Sequence, residues 1–102
     1  MPRIAPRTEA AMRDAELIAR WIEPHPRRPG VAEARVKGYA TPVWALVGHW
    51  RAVGRNVGRV AEDYDLPREA VEAALAYYRR HRPLIDARLA ENNAVLTQVL
   101  TE

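Results

Sequence analysis

The chain has 102 residues, 48% of them hydrophobic, which suits one folded domain with a modest core and excludes a disordered or multidomain polypeptide. It contains no cysteine, so disulfides and thiolate metal sites are excluded, and no apolar run approaches the roughly 20 residues that span a bilayer. Sixteen Lys and Arg against thirteen Asp and Glu give a net charge of +3, a mild basic bias that fits phosphate contact and ordinary solvation equally well.

Residues 1–7 contain Pro and Arg and are expected to be loose. They carry charge but no apolar core like that of a signal peptide, so a cytoplasmic protein is expected. Thr8 can cap a helix running to about Ile22, with Met12, Ala15, Ile18 or Ala19, and Ile22 on one face and Trp21 at its end. That stripe is thin, so the helix needs a partner surface, either the rest of the chain or a second copy. Pro24, Pro26 and Pro29 then forbid helix and predict an extended loop; His25 within it reads as a solvated loop residue. Arg27 and Arg28 can meet a phosphate or simply stay in solvent. Val31 to Lys37 predicts a short helix ended by Gly38, with a brief extended piece at 36–40 as the alternative.

The next 42 residues, 41–82, read as three helices with two short breaks. Thr41 and Pro42 open the first, whose stripe is Val43, Leu46, Val47, Trp50 and Val53, and Gly54 ends it. Trp44 lies off that stripe, either as a contact residue or packed on the 31–37 segment. Asn56 can cap the second helix, with Val57, Val60, Ala61 and Tyr64 inward. Asp65 and Leu66 make a tight turn, and Pro67 opens a third helix with Val71, Ala74, Leu75 and Tyr78 on one face and Ala70 and Tyr77 beside it. A short helix, a turn and a longer helix, preceded by a packing helix, is the helix-turn-helix layout, although packing alone can require the same pattern.

The strings Pro42-Val43-Trp44-Ala45-Leu46-Val47-Gly48, Val60-Ala61-Glu62-Asp63-Tyr64, Leu66-Pro67 and Glu69 to Tyr78 resemble the bacterial family named domain of unknown function 433. The resemblance implies a small helix-turn-helix-like domain. It also implies a VapB-type antitoxin paired with a toxin that resembles a PIN-domain ribonuclease. Many relatives enter the first of these helices through Gly-Thr-Arg-Ile-Pro-Val, where this chain has Gly38-Tyr39-Ala40-Thr41-Pro42-Val43, so no role of that Arg carries over.

Pro83 sets a boundary, and a further helix follows. Ile85, Leu89, Asn92, Leu96 and Val99 are spaced four, three, four, three, the seam spacing of a coiled coil with a polar residue in it; Leu84, Val95 and Leu100 widen the stripe. This helix folds back on its own core, or it offers Leu84, Ile85, Leu89, Asn92, Leu96, Val99 and Leu100 to a partner or a second copy.

The sequence predicts an all-α, helix-turn-helix-like trihelical core with an added N-terminal helix and a C-terminal amphipathic helix. No nucleophile is paired with a base and there is no phosphate loop, so neither an enzyme nor a cofactor is expected. Glu62, Asp63 and Asp65 lack any metal-loop spacing. Subtracting the core leaves Arg68, Glu69, Glu72, Ala73, Ala76, Arg79 and Arg80 outward on the third helix. The candidate DNA contacts are Arg51, Arg55, Arg59, Arg68, Arg79, Arg80 and Arg82, with Glu69 and Glu72 opposing the phosphate field. The expected function is an antitoxin that binds a PIN-like ribonuclease and represses its operon through DNA, as a homodimer. The alternatives are a DNA-binding regulator without a toxin and a structural dimeric adaptor.

Overall fold

A computed structural model describes the backbone of residues 7–101 and the side chains of residues 9–95. The expectation for residues 1–6 therefore lies outside the described residues. The fold is all-α: helices α1 (Arg7–Trp21), α2 (Val43–Ala52), α3 (Val57–Tyr64), α4 (Arg68–Arg80) and α5 (Arg82–Thr101), with two short strands, β1 (Ile22–Glu23) and β2 (Arg35–Val36). The strands pair antiparallel, Ile22 opposite Val36 and Glu23 opposite Arg35.

The short helix expected at Val31 to Lys37 is not formed. A single 3-10 turn, Val31–Glu33, gives way at Ala34 (ψ 153°) to extended backbone. Three carbonyl–amide bonds make the extended form better satisfied: Val36 N–H donates to Thr41 O, Lys37 N–H to Trp21 O, and Val43 N–H to Ala34 O, at 2.7–3.0 Å. This piece ties the end of α1 to the start of α2. The last of those bonds also serves a free amide of α2, so Pro42 stands at the N-cap and Thr41 does not cap. Thr8 likewise lies inside α1 and is not its cap.

The α2–α4 core follows the predicted pattern except at Tyr64, expected inward but 36% exposed at the last turn of α3, its ring edge-on to His49 at 5.4 Å. Val43, Leu46, Val47 and Val60 are fully buried, and Asn56 Oδ1 accepts from Arg59 N–H at 3.0 Å as a cap. Gly54 and Arg55 both have positive φ, which reverses the chain between α2 and α3, and Asp65 (φ 54°) ends α3 so that Leu66 turns inward.

The departure is in α4 and α1. Ala73 and Ala76, expected outward, are 0% exposed because α1 lies across them. The face α1 presents is Asp14, Leu17, Ile18 and Trp21, at i, i+3, i+4 and i+7, whereas Met12, expected inward, is 59% exposed. Ile22 is buried, but as the first residue of β1. The break after α4 falls at His81 (φ −134°), two residues before Pro83, where the boundary is expected. Pro83 thus sits in the first turn of α5, where its missing N–H is not needed.

Introducing bulk at Ala73 or Ala76 (Ala→Leu) is expected to cost about 1–3 kcal/mol by overpacking. Met12→Ala should stay within about 0.5 kcal/mol. Urea denaturation of the three variants checks this, and the opposite ranking would mean that α1 does not rest on α4.

Candidate nucleic-acid and partner interface

The helix that would read DNA is α4, and α1 occupies its outward side. Arg79 donates to Asp14 at 2.8 Å and Arg80 to the Ala11 carbonyl at 2.9 Å. Arg13 pairs with Glu72 at 3.6 Å and Arg20 with Glu69 at 3.4 Å, while Trp21 Nε1–H donates to Glu69 at 3.0 Å. Glu69 and Glu72, expected to face phosphates, instead hold cations of α1.

The other candidate arginines also have partners within the chain. Arg59 pairs with Asp63 at 3.0 Å, Arg68 with Glu72 at 3.3 Å and Arg51 with Asp86 at 2.7 Å. The Arg55 guanidinium stacks over Trp50 and that of Arg82 over Tyr78, each at 5.5 Å. Arg51 and Arg82 each lie over the Tyr78 ring at the base of α5, Arg79 and Arg80 lie along α1, and Arg59 pairs within α3. The structure does not gather the seven into one basic stripe.

The base of α5 is fixed by contacts that sequence reasoning missed. Tyr78 donates its hydroxyl to Asp86 Oδ1 at 2.8 Å, and Arg51 donates to the same carboxylate oxygen and to the Tyr78 hydroxyl. The Tyr78 hydroxyl, and then Arg51, hold the Asp86 carboxyl below the usual aspartate range, while burial pushes the Tyr78 phenol up. On the other side Arg88 lies 4.4 Å over the Trp44 ring and donates to Glu33 at 2.9 Å. Trp44 therefore packs through Arg88 on the 3-10 turn.

Ile85 is fully buried and Leu89 packs on the core, close against Gly48 of α2, where a Cβ would lie 3.1 Å from Leu89 Cδ2. Leu84 (50% exposed), Glu91 and Val95 (55%) recur at i, i+7 and i+11 and form an outward strip. Of the seven partner candidates, Ile85 and Leu89 thus belong to the chain's own core and Leu84 is free. Asn92 lines a groove, and the side chains of Leu96, Val99 and Leu100 lie outside the described residues. That groove, of about 590 Å³, runs along Ala45, Gly48, His49 and Ala52 of α2, between Tyr64 on one side and Leu89, Asn92 and Asn93 on the other.

The acidic and histidine residues serve local structure. Asp63 joins His49 Nε2 (2.7 Å) and Arg59, and these two, His49 foremost, hold its carboxyl below the usual range. His25 Nδ1 accepts from the backbone N–H groups of Arg27 and Arg28, each at 3.0 Å, which shapes the proline loop. Among the described residues no group of three or more His, Cys, Asp or Glu lies close enough to hold a metal ion, and no helix is long and apolar enough to cross a membrane.

Because both Asp63 and Asp86 titrate below their unfolded value, near pH 4, each contributes stability that is present above that pH and lost as pH falls through the folded value. Denaturation midpoints should drop on acidification below about pH 4, and the double variant Asp63→Asn, Asp86→Asn should flatten that drop. A double variant that loses stability in acid as steeply as the parent would assign the effect elsewhere.

No curated protein and no solved structure matches the chain. Residues 30–78, from the 3-10 turn through Tyr78 of α4, match the model of the family described as "Protein of unknown function (DUF433)", which supports the family resemblance carried by the α2–α4 motifs and leaves α1 and α5 outside the matched stretch.

Proposed function

We propose that this chain is an antitoxin-like protein-binding domain that neutralises a PIN-like ribonuclease through the distal part of α5. The observation that carries the reading is the outward strip of α5, where Leu84 and Val95 stay exposed although the base of the same helix is bolted to the core. A helix presenting apolar residues at helical spacing is the form in which a groove on another protein is filled. Glu91 lies on that strip and is the acidic residue best placed to meet basic groups of an RNA-binding surface. Asp86 is committed to Arg51 and Tyr78.

The DNA half of the reading draws on the α3-turn-α4 layout and on the exposed parts of Arg55, Arg59 and Arg68. It has less support, because base readout through α4 requires α1 to vacate Ala73 and Ala76. A regulator that acts through phosphates would show affinity for its upstream DNA that falls steeply with salt. A toxin-only antitoxin or an adaptor would show none.

Co-expression with the product of the adjacent gene tests the main reading. The full chain should co-purify with that product and suppress its ribonuclease activity, whereas a chain ending at Asn93, which keeps Ile85 and Leu89, should fold normally and lose both properties. Val95→Asp in the full chain should weaken the complex at least tenfold, about 1.4 kcal/mol. Full inhibition by the shortened chain would sink the assignment.

A further inference from the structure

We propose that His25 is a pH-operated catch: its neutral ring holds the proline loop closed beside a cavity at the end of α1, and protonation of the ring releases the loop. His25 Nδ1 accepts from the backbone N–H groups of both Arg27 and Arg28, each at 3.0 Å. A ring nitrogen accepts only through a free lone pair, so the proton of the neutral imidazole sits on Nε2. A second proton can go only to Nδ1, where it faces two N–H donors. The proton and the closed loop thus compete for one lone pair, and the closed form is lost as pH falls.

The loop is built to turn that local event into a change of shape. Pro24, Pro26 and Pro29 fix three of its φ angles, which leaves few torsions to move. Its two ends are unlike. Ile22–Glu23 is pinned by pairing with Arg35–Val36, whereas Gly30 (φ 116°) stands in a conformation that favours glycine and serves as a hinge before the 3-10 turn. Among the described residues the amides of Arg27 and Arg28 have no acceptor other than His25. The closed loop also supplies Pro24 and Gly30 to the wall of a cavity of about 430 Å³, whose other lining includes Ile18, Ile22, Val31 and Tyr77. A loop that leaves its place therefore reshapes that cavity.

The charged and titratable groups around the loop are already engaged. Glu23 of β1 is held by Arg35 at 2.8 Å, and Glu33 of the 3-10 turn is shared by Arg28 at 3.9 Å and Arg88 at 2.9 Å. From α4, Tyr77 donates its hydroxyl to the Val31 carbonyl at 2.8 Å and its ring lies 4.5 Å from that of His81. Among the described residues no carboxylate pairs with His25 to reward its protonation, and the loop's own charges, Arg27 and Arg28, carry the sign of an imidazolium. His49 is the opposite case, because its Nε2 meets Asp63 at 2.7 Å and a proton there strengthens a pair already made. The catch needs neither a ribonuclease nor DNA.

Amide and methyl NMR spectra of the full chain between about pH 8 and about pH 5 provide the test. The amide resonances of Arg27 and Arg28 and the methyl resonances of Ile18 and Val31 should move with the same midpoint as the His25 ring. His25→Asn, whose side-chain oxygen can take the same two amides without titrating, should keep the closed-loop shifts at both ends of the range. His25→Ala should show the open-loop shifts throughout. Amides that stay fixed while the His25 ring titrates would overturn the catch, and so would a His25→Asn loop that follows the parent's curve. Methyl groups that stay fixed while the amides move, or that still titrate in His25→Asn through His81, would overturn its action on the cavity.

Discussion

The burial of α4 is the constraint on which the rest of the structure depends. Four of its thirteen residues are buried alanines, Ala70, Ala73, Ala74 and Ala76, distributed around the helix. With so little side-chain bulk, helices on several sides come close enough to touch: α1, α2, α3 and α5 all pack on it. The two-residue strands tie the end of α1 to the start of α2 and also touch α4, and the small radius of α4 holds the helices to one centre. Burying Leu17 against it contributes about 1.5–3 kcal/mol. The exposed ion pairs around that contact contribute about 0–1 kcal/mol each, and they orient α1 more than they hold it.

What could be read in advance and what could not follow from the same fact. The α2–α4 segment was legible because its signals are local. Asn56 caps, Pro67 opens, Gly54 turns, and the large apolar residues Val43, Leu46, Val47, Val60 and Val71 announce their faces by spacing. Alanine announces nothing, since it suits a buried face and a solvated one alike, so the spacing of the larger apolar residues places Ala73 and Ala76 outward where the structure buries them. The orientation of α1 failed for a related reason: Met12 and Ala15 carried as much weight in the pattern as Leu17, and only the surface of α4 distinguishes them. The strand β2 is legible only as the extended alternative at 36–40, because the strand it pairs with, Ile22–Glu23, lies across the proline loop and the adjoining Lys37 N–H donates to Trp21, both outside a local window. Of the partner candidates, Leu84 was legible as free surface. Ile85 was not legible as core, because one periodic stripe served both the packed base of α5 and its continuation.

The charge pattern has a similar lesson. A basic chain with arginines on several helices suggests phosphate binding, but charge on a list does not say which charges are already used. Here the guanidiniums of Arg51, Arg59, Arg68 and Arg79 face carboxylates of their own chain, Arg80 caps a carbonyl, and Arg55 and Arg82 lie on aromatic rings. Each retains some exposure, so the net charge still steers encounters at a distance. It does not by itself make a reading surface.

The stretch that matches the family model ends at Tyr78, the residue whose hydroxyl holds Asp86 of α5. The two helices outside the match are therefore not detachable ornaments. Without α1, Ala73, Ala76 and the carboxylates of Glu69 and Glu72 lose their cover; without the base of α5, Tyr78, Arg51 and Trp44 lose their partners. Only the part of α5 beyond Leu89 is exempt, since nothing in the described core leans on Asn93, Ala94 or Val95. A helix whose base is structural and whose distal part is not has its free half held at a fixed angle, so a partner that binds there meets an already ordered segment. The entropy of ordering that segment has then been lost during folding and does not weaken the complex, which separates this tail from a disordered one of the same composition.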